Sequence, residues 1–324
     1  MRRWIGSLGV GALLLACRPA PVEQSSQEWV PQLRLSARGK EYDTVRYTRD
    51  GVSLYAEIYR PPDRRRAYPA VVLLPGGFVG VNASHRAAAK RLAQAGYLVA
   101  LPHMRGQGKS GGAIDFGLED AVDVRGLAKA LRQVGGDGRY AYVGISLGGA
   151  IAFNAARNDP DARGIACLLS PTDFREQRAL LMHYGQVERA QRWDAWKGGS
   201  PDDCPECWDA RDPLIHVREV SAPILFIQAG EDVLIPVGQA CRWRAVRQEM
   251  GRTVHTVALT DDGKPWRGEL KERQRCALPF TGWGDLREDH LVFFPSMPHK
   301  TNEAMWDITL RALARWFEGA ARAP

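Results

Sequence analysis

The sequence predicts an α/β fold built on one mostly parallel sheet, with helices on both faces, an antiparallel hairpin at its N-terminal end and a small cap insertion. Three observations carry that expectation. Short apolar runs alternate with stretches of helical period along the chain, the order that produces a parallel sheet covered on both sides. Runs such as "AVVLL" (70–74) and "PILFI" (223–227) are apolar without alternation, as strands buried on both faces are. Asp50-Gly51 separates two alternating segments, which is a hairpin signature.

The elements follow in order. Residues 42–62 hold the two hairpin strands, and 70–77 the first buried strand. A helical stripe over 83–96 closes on Gly96, and "YLVALPH" (97–103) is the next strand. A helix over 118–134 carries acids in its first turns, where the positive end of the helix dipole favours them. Strand 140–146 runs directly into helix 147–158, then strand 164–171. Strand 222–230, helix 237–251, strands 253–259 and 291–295, and an amphipathic helix from 303 complete the series. Two stretches interrupt the alternation. Residues 172–220 carry Phe174, Tyr184, Trp193, Trp196 and Trp208 and are expected to form the cap; residues 260–289 are a second insertion.

The chain has 324 residues and a formal charge of +7. The positive charge is scattered, with no basic stripe interleaved with aromatics, so a nucleic-acid partner is not expected. The N-terminus is more specific. Arg2 and Arg3 precede an apolar stretch too short to span a bilayer, so 1–16 read as a signal peptide. Leu14-Leu15-Ala16-Cys17 resembles the lipobox of bacterial lipoproteins. That resemblance implies cleavage before Cys17, lipid on its thiol, and an exported protein held on a bacterial membrane. Arg18 follows the cysteine where an aspartate would signal inner-membrane retention, which favours the outer membrane. Residues 17–40 are polar and proline-bearing and read as a tether reaching roughly 25 Å, with the folded domain over 41–320.

Cys167 lies in an apolar run and reads as a small buried hydrophobe. Cys204, Cys207, Cys241 and Cys276 allow three pairings, and an exported location favours disulfides over a zinc site, since "CPEC" has no second ligand pair at metal spacing. No metal or organic cofactor is expected.

Gly144-Ile145-Ser146-Leu147-Gly148 fits G-x-S-x-G. The bare pentad is a weak signal, but here it joins a buried strand to a helix, the context of a nucleophile elbow. A serine hydroxyl needs a base, and the base an orienting acid. Glu231 and Asp232 follow strand 222–230, and His299 follows strand 291–295, giving the order serine, acid, histidine that this architecture uses.

At these residues a family resemblance becomes plain. Residues 41–320 resemble an α/β-hydrolase of the branch shared by dienelactone hydrolases and prolyl-oligopeptidase catalytic domains, through "DGVSLYAEIYRP", "VVLLPGG", "MRGQGKSGG", "GISLGG", "APILFIQAGEDVLIP" and "FFPSMPHKTNEA". The resemblance implies Ser146 as nucleophile, Asp232 rather than Glu231 as orienting acid, and His299 as general base. It also implies an oxyanion hole from the Leu147 N–H and a second N–H at Gly77 or Phe78. The chain departs from the pattern at Pro75, where histidine is common, at His103, where aspartate is common, and in the long interval from Asp232 to His299.

Among the other histidines, His290 and His255 stand at the starts of their strands, at the wrong end of the sheet. His85 and His103 lie near the expected mouth as candidates for the pocket wall, and His183 and His216 read as structural parts of the cap. The expected activity is hydrolysis of small carboxylic esters through an acyl-enzyme. A prolyl-oligopeptidase-type peptidase is the alternative, and a non-catalytic lipoprotein module that binds through the same fold is a third reading.

Overall fold

The computed structural model describes residues 29–63 and 67–318. Signal segment 1–16, Cys17 and the tether as far as residue 28 lie outside the described residues. Ten strands form one sheet in the order β1-β2-β3-β5-β4-β6-β7-β8-β10-β9. The elements are β1 (Arg34–Ala37), β2 (Asp43–Arg49), β3 (Val52–Tyr59), β4 (Tyr68–Leu74), α1 (Ala83–Gln94), β5 (Leu98–His103), α2 (Glu119–Ala130), β6 (Gly136–Ile145), α3 (Leu147–Ala155) and β7 (Ala162–Leu168). They continue with α4 (Phe174–His183), α5 (Val187–Lys197), α6 (Pro205–Asp209), β8 (Ile224–Ala229), α7 (Val237–Glu249), β9 (Val254–Ala258), β10 (Asp289–Phe294) and α8 (Glu303–Phe317). β1, β2, β3 and β5 pair antiparallel, and every pairing from β5–β4 to β10–β9 is parallel. The expected mostly parallel sheet with an N-terminal hairpin is what forms.

The strands divide their side chains between two cores because successive residues face opposite ways. Ala70, Val72 and Leu74 join α2, α3 and α7 on one face. Val71 and Leu73 join α1 and α8 on the other. Caps set where the helices begin: Asn82, Asp173 and Asn302 accept from the N–H groups of His85, Glu176 and Met305 at 3.1, 2.8 and 2.9 Å. α8 buries Met305, Ile308, Thr309, Ala312, Leu313 and Trp316 in a helical stripe.

The folded part starts earlier than residue 41, a correction to the tether boundary. β1 pairs with β2, and the residues before it lie on α2. The Trp29 ring fits where Gly126 has no side chain, stands 6.4 Å from Tyr47 and carries Arg49 5.8 Å over its face. Gln133 Nε2 donates to Pro31 O (2.8 Å), and Gln133 Oε1 accepts from the Leu33 N–H (2.9 Å). Trp29, Val30, Leu33 and Leu35 stand in a short stretch broken by Pro31 and polar residues, yet backbone pairing and one indole suffice to dock the segment.

The insertion over 260–289 runs along the outer side of β9. Trp266 N–H donates to Ala258 O and Thr281 N–H to Thr256 O, both at 2.9 Å, while Thr281 Oγ1 accepts from Thr256 N–H at 2.8 Å. A disulfide joins Cys276 in this insertion to Cys241 in α7, and a second joins Cys204 to Cys207 in the cap. Cys167 is free and buried.

A buried acid ties β3 to α1. Glu57 is 2% exposed and receives both Nε and Nη2 of Arg86 (3.1 and 2.7 Å) and the Tyr59 hydroxyl (2.7 Å), with His103 Nε2 3.4 Å away. Burial alone would raise its pKa; these donors overcome that and hold the carboxyl down at about 2. A folded value below the unfolded one contributes stability that is complete above the unfolded pKa and lost as pH falls toward 2. Thermal melts from pH 6 to 2 are expected to show a fall that is shallower in Glu57→Gln, which also loses about 3 kcal/mol at neutral pH. Parallel pH profiles for the two proteins would exclude this role.

Candidate active site

Ser146 stands between β6 and α3 with φ 52° and ψ −124°, a conformation that costs an L-residue about 1–3 kcal/mol and persists only when its surroundings hold it. The surroundings are backbone packed too closely for side chains. A Cβ on Gly148 would lie 2.6 Å from Pro75 O, and one on Gly76 would lie 2.9 Å from Ile145 O. Ser146 N–H donates to Leu168 O, and its carbonyl accepts from Gly149 N–H, both at 2.8 Å. α3 is buried along its whole length and points its unpaired N-terminal N–H groups at the serine.

Sheet order brings the other two residues alongside. β10 lies next to β8, so the loops after these strands meet. With the proton on Nδ1, His299 donates to Asp232 Oδ2 at 2.7 Å, and His299 Nε2 accepts from Ser146 Oγ at 3.1 Å. Asp232 Oδ1 accepts from Leu234 and Ile235 N–H at 2.9 and 2.8 Å, and the side chain is fully buried. Glu231 turns the other way. Lys271 (2.8 Å), Arg273 and Gln274 of the second insertion hold it, and the Lys271 ammonium keeps its carboxyl below the usual range.

Ser146 opens onto a cavity of about 100 Å³ that Gly77, Phe78 and Leu147 also line. One water needs only ~10–15 Å³ on this measure, so the cavity has room for a short acyl chain. Phe78 fixes the loop after β4 to the cap: its ring centroid is 4.8 Å from Phe116, 5.7 Å from Trp193 and 5.2 Å from Trp196. The cap helices α4 and α5 close the cavity with Phe174, Leu181 and Trp193. The cap aromatics therefore divide, since Phe174 and Trp193 reach the cavity while Trp208 is wholly buried beneath it.

His85 and His103 do not line the cavity, which corrects their reading as wall residues. His85 is buried behind the loop, with Nε2 3.2 Å from the Gly76 N–H, and burial holds its pKa below the ordinary value. His103 lies beside Glu57. His290 and His255 stack on each other, ring centroids 4.9 Å apart, at the starts of their strands.

Two features had no signal in the sequence. Phe116 takes φ 65°, uncommon for a bulky residue, in a loop whose Asp115 carboxylate accepts three N–H groups at the start of α2. Lys197, 2% exposed, puts Nζ 3.8, 4.1 and 4.7 Å over the rings of Phe116, Phe174 and Trp208, with no hydrogen-bond partner among the described residues. Burial pushes the Lys197 pKa well down, and nearby Arg211 adds to this against Asp115 and Asp212. A lowered lysine pKa costs stability below the unfolded value and costs less as pH rises toward it. Lys197→Met is therefore expected to raise Tm by several degrees at pH 7 and by less at pH 9. A lower Tm at both pH values would show that the ring faces more than offset burial of the ammonium.

The family model described as the alpha/beta hydrolase fold matches residues 69–185. A Bacillus subtilis (strain 168) protein named as uncharacterized peptidase YtmA is 23% identical over 254 residues, spanning 74% of this chain and 91% of its own. Among solved structures, the Pyrococcus furiosus esterase Pf2001 superposes with a TM-score of 0.59 at 18% identity, covering 85% of this chain and 93% of the esterase. The Pyrococcus horikoshii acylaminoacyl peptidase gives 0.63 at 16% identity, covering 92% of this chain and 44% of the peptidase.

Proposed function

We propose, on the premise that this chain has the α/β-hydrolase fold, that it is a serine hydrolase of carboxylic esters. The observation that carries the reading is the hydrogen-bonded series Ser146 Oγ, His299 Nε2, His299 Nδ1, Asp232 Oδ2 at the floor of an apolar cavity. Ser146 Oγ attacks the ester carbonyl carbon while His299 takes its proton. The carbonyl oxygen becomes an oxyanion held by the Leu147 N–H and by the N–H of Gly77 or Phe78. Collapse expels the alcohol, which receives the proton from His299, and water releases the acyl group by the same steps in reverse order.

Labelling with a fluorophosphonate probe and turnover of a short-chain aryl ester test this reading. Both are expected in the wild type and absent in Ser146→Ala; labelling that survives the substitution would refute it. A peptidase is the second reading, supported by the names of the Bacillus protein and the Pyrococcus peptidase. An aryl ester compared with matched dipeptidyl amides separates the two, and faster amide cleavage would reverse the order. A non-catalytic binding module would show no labelling at all.

For location, we propose lipidation at Cys17 and a domain held at the surface of a bacterial membrane. Phase separation in detergent checks this: the wild type is expected in the detergent phase and Cys17→Ser in the aqueous phase.

A further inference from the structure

We infer that the cavity selects esters carrying a second, anionic carboxylate, and that Arg189 on α5 is the residue that recognises it. The inference rests on the serine-hydrolase reading and adds a substrate class to it. Three observations point this way. Arg189 is the single charged residue among those lining the cavity, and no carboxylate joins it there. Three other cap arginines are paired, Arg178 with Asp194 at 2.6 and 2.7 Å, Arg211 with Asp115 at 3.2 Å, and Arg175 with Asp209, while Arg192, also on α5, does not line the cavity. Arg189 instead holds one neutral contact, to Gln186 Oε1 at 3.2 Å, and has no ion pair among the described residues.

The third observation is Gln177, which is only 7% exposed, lines the same cavity and leaves its Nε2 without a hydrogen-bond partner among the described residues. A buried amide with an unmet donor is a cost that a ligand oxygen removes. Its amide can rotate to offer either end. Arg189 and Gln177 thus give a mostly apolar cleft two donor groups of the kind a carboxylate accepts from. Guanidinium-to-carboxylate hydrogen bonds are strong and bidentate. Arg189 is itself exposed at the rim, where solvent screens the pair, so the selectivity is expected to be moderate.

The test compares two aryl esters of equal acyl length, mono-p-nitrophenyl adipate and p-nitrophenyl hexanoate. The wild type is expected to prefer the adipate about five- to tenfold in kcat/KM, with the preference shrinking between 20 mM and 500 mM salt. Arg189→Ala is expected to bring the ratio of the two kcat/KM values near one, and Arg189→Glu to invert it. A wild-type ratio near one, or a ratio that Arg189→Ala leaves unchanged, overturns the inference. Binding supplies a readout independent of turnover. In Ser146→Ala, tryptophan fluorescence is expected to report tighter binding of the adipate ester than of the hexanoate, and this difference is expected to vanish in Ser146→Ala/Arg189→Ala. Arg189-dependent binding without hydrolysis in the wild type would leave the inference standing and remove the hydrolase reading. Hydrolysis without the preference would do the opposite.

Discussion

Asp232→Asn is expected to lower kcat by about 10⁴-fold with little change in fold, while Glu231→Gln changes it less than threefold. The two acids are neighbours in sequence and opposed in environment. Asp232 points one oxygen at His299 Nδ1 and the other at two backbone N–H groups. Asparagine keeps an acceptor for that turn but offers an amide N–H to Nδ1. The imidazole then carries its proton on Nε2, facing Ser146 Oγ, and has no lone pair to receive the hydroxyl proton. Glu231 is held by Lys271 and Arg273, away from the histidine, so its loss disturbs the second insertion rather than the proton path. Ester turnover with melting curves for both variants decides the matter. A Glu231→Gln defect as deep as that of Asp232→Asn would mean that the two acids share the task.

Gly148→Ala is expected to cost at least about 4 kcal/mol, which lowers Tm by roughly 8 °C or more or leaves no soluble protein. The new methyl would sit 2.6 Å from both Leu74 C and Pro75 O and closer still to Leu74 O. These are backbone atoms of the central strand β4 and of the loop that supplies Gly77 and Phe78, so no rotamer change relieves the overlap. Relief requires α3 to move off the sheet, which also releases the strained Ser146. A Gly148→Ala protein that melts with the wild type would show that α3 is not clamped against β4.

Much of this was legible because the relevant physics is local. The Gly144–Gly149 stretch announces a close strand-to-helix approach, and continuous apolar runs announce strands covered on both faces. The order of residues after β6, β8 and β10 places three loops at one end of the sheet whatever the insertions between them. What escaped notice depends on contacts far apart in sequence. Trp29 gains its meaning from a missing side chain at Gly126. The orientation of Glu231 depends on cations forty residues later. Lys197 looks like any helix-terminal lysine until Phe116, Phe174 and Trp208 close around it. The disulfide pairing is set by the fold, because four cysteines allow three arrangements and spacing alone does not separate them.

The insertion over 260–289 has a consequence for how the protein behaves in concentrated solution. β9 ends the sheet, and its outward N–H and C=O groups would otherwise be a template for a strand from another molecule. Trp266 and Thr281 occupy part of that template from within the chain. Shortening the insertion to a tight connection would bare that edge and produce a protein prone to self-association, and it would also remove Gln274, whose Nε2 donates to Gly230 O and Pro295 O (both 3.0 Å) in the loops that carry Asp232 and His299. Such a variant would lose material to strand-to-strand polymers as concentration rises. In that sense the second insertion guards solubility as well as bracing the loops that carry Asp232 and His299.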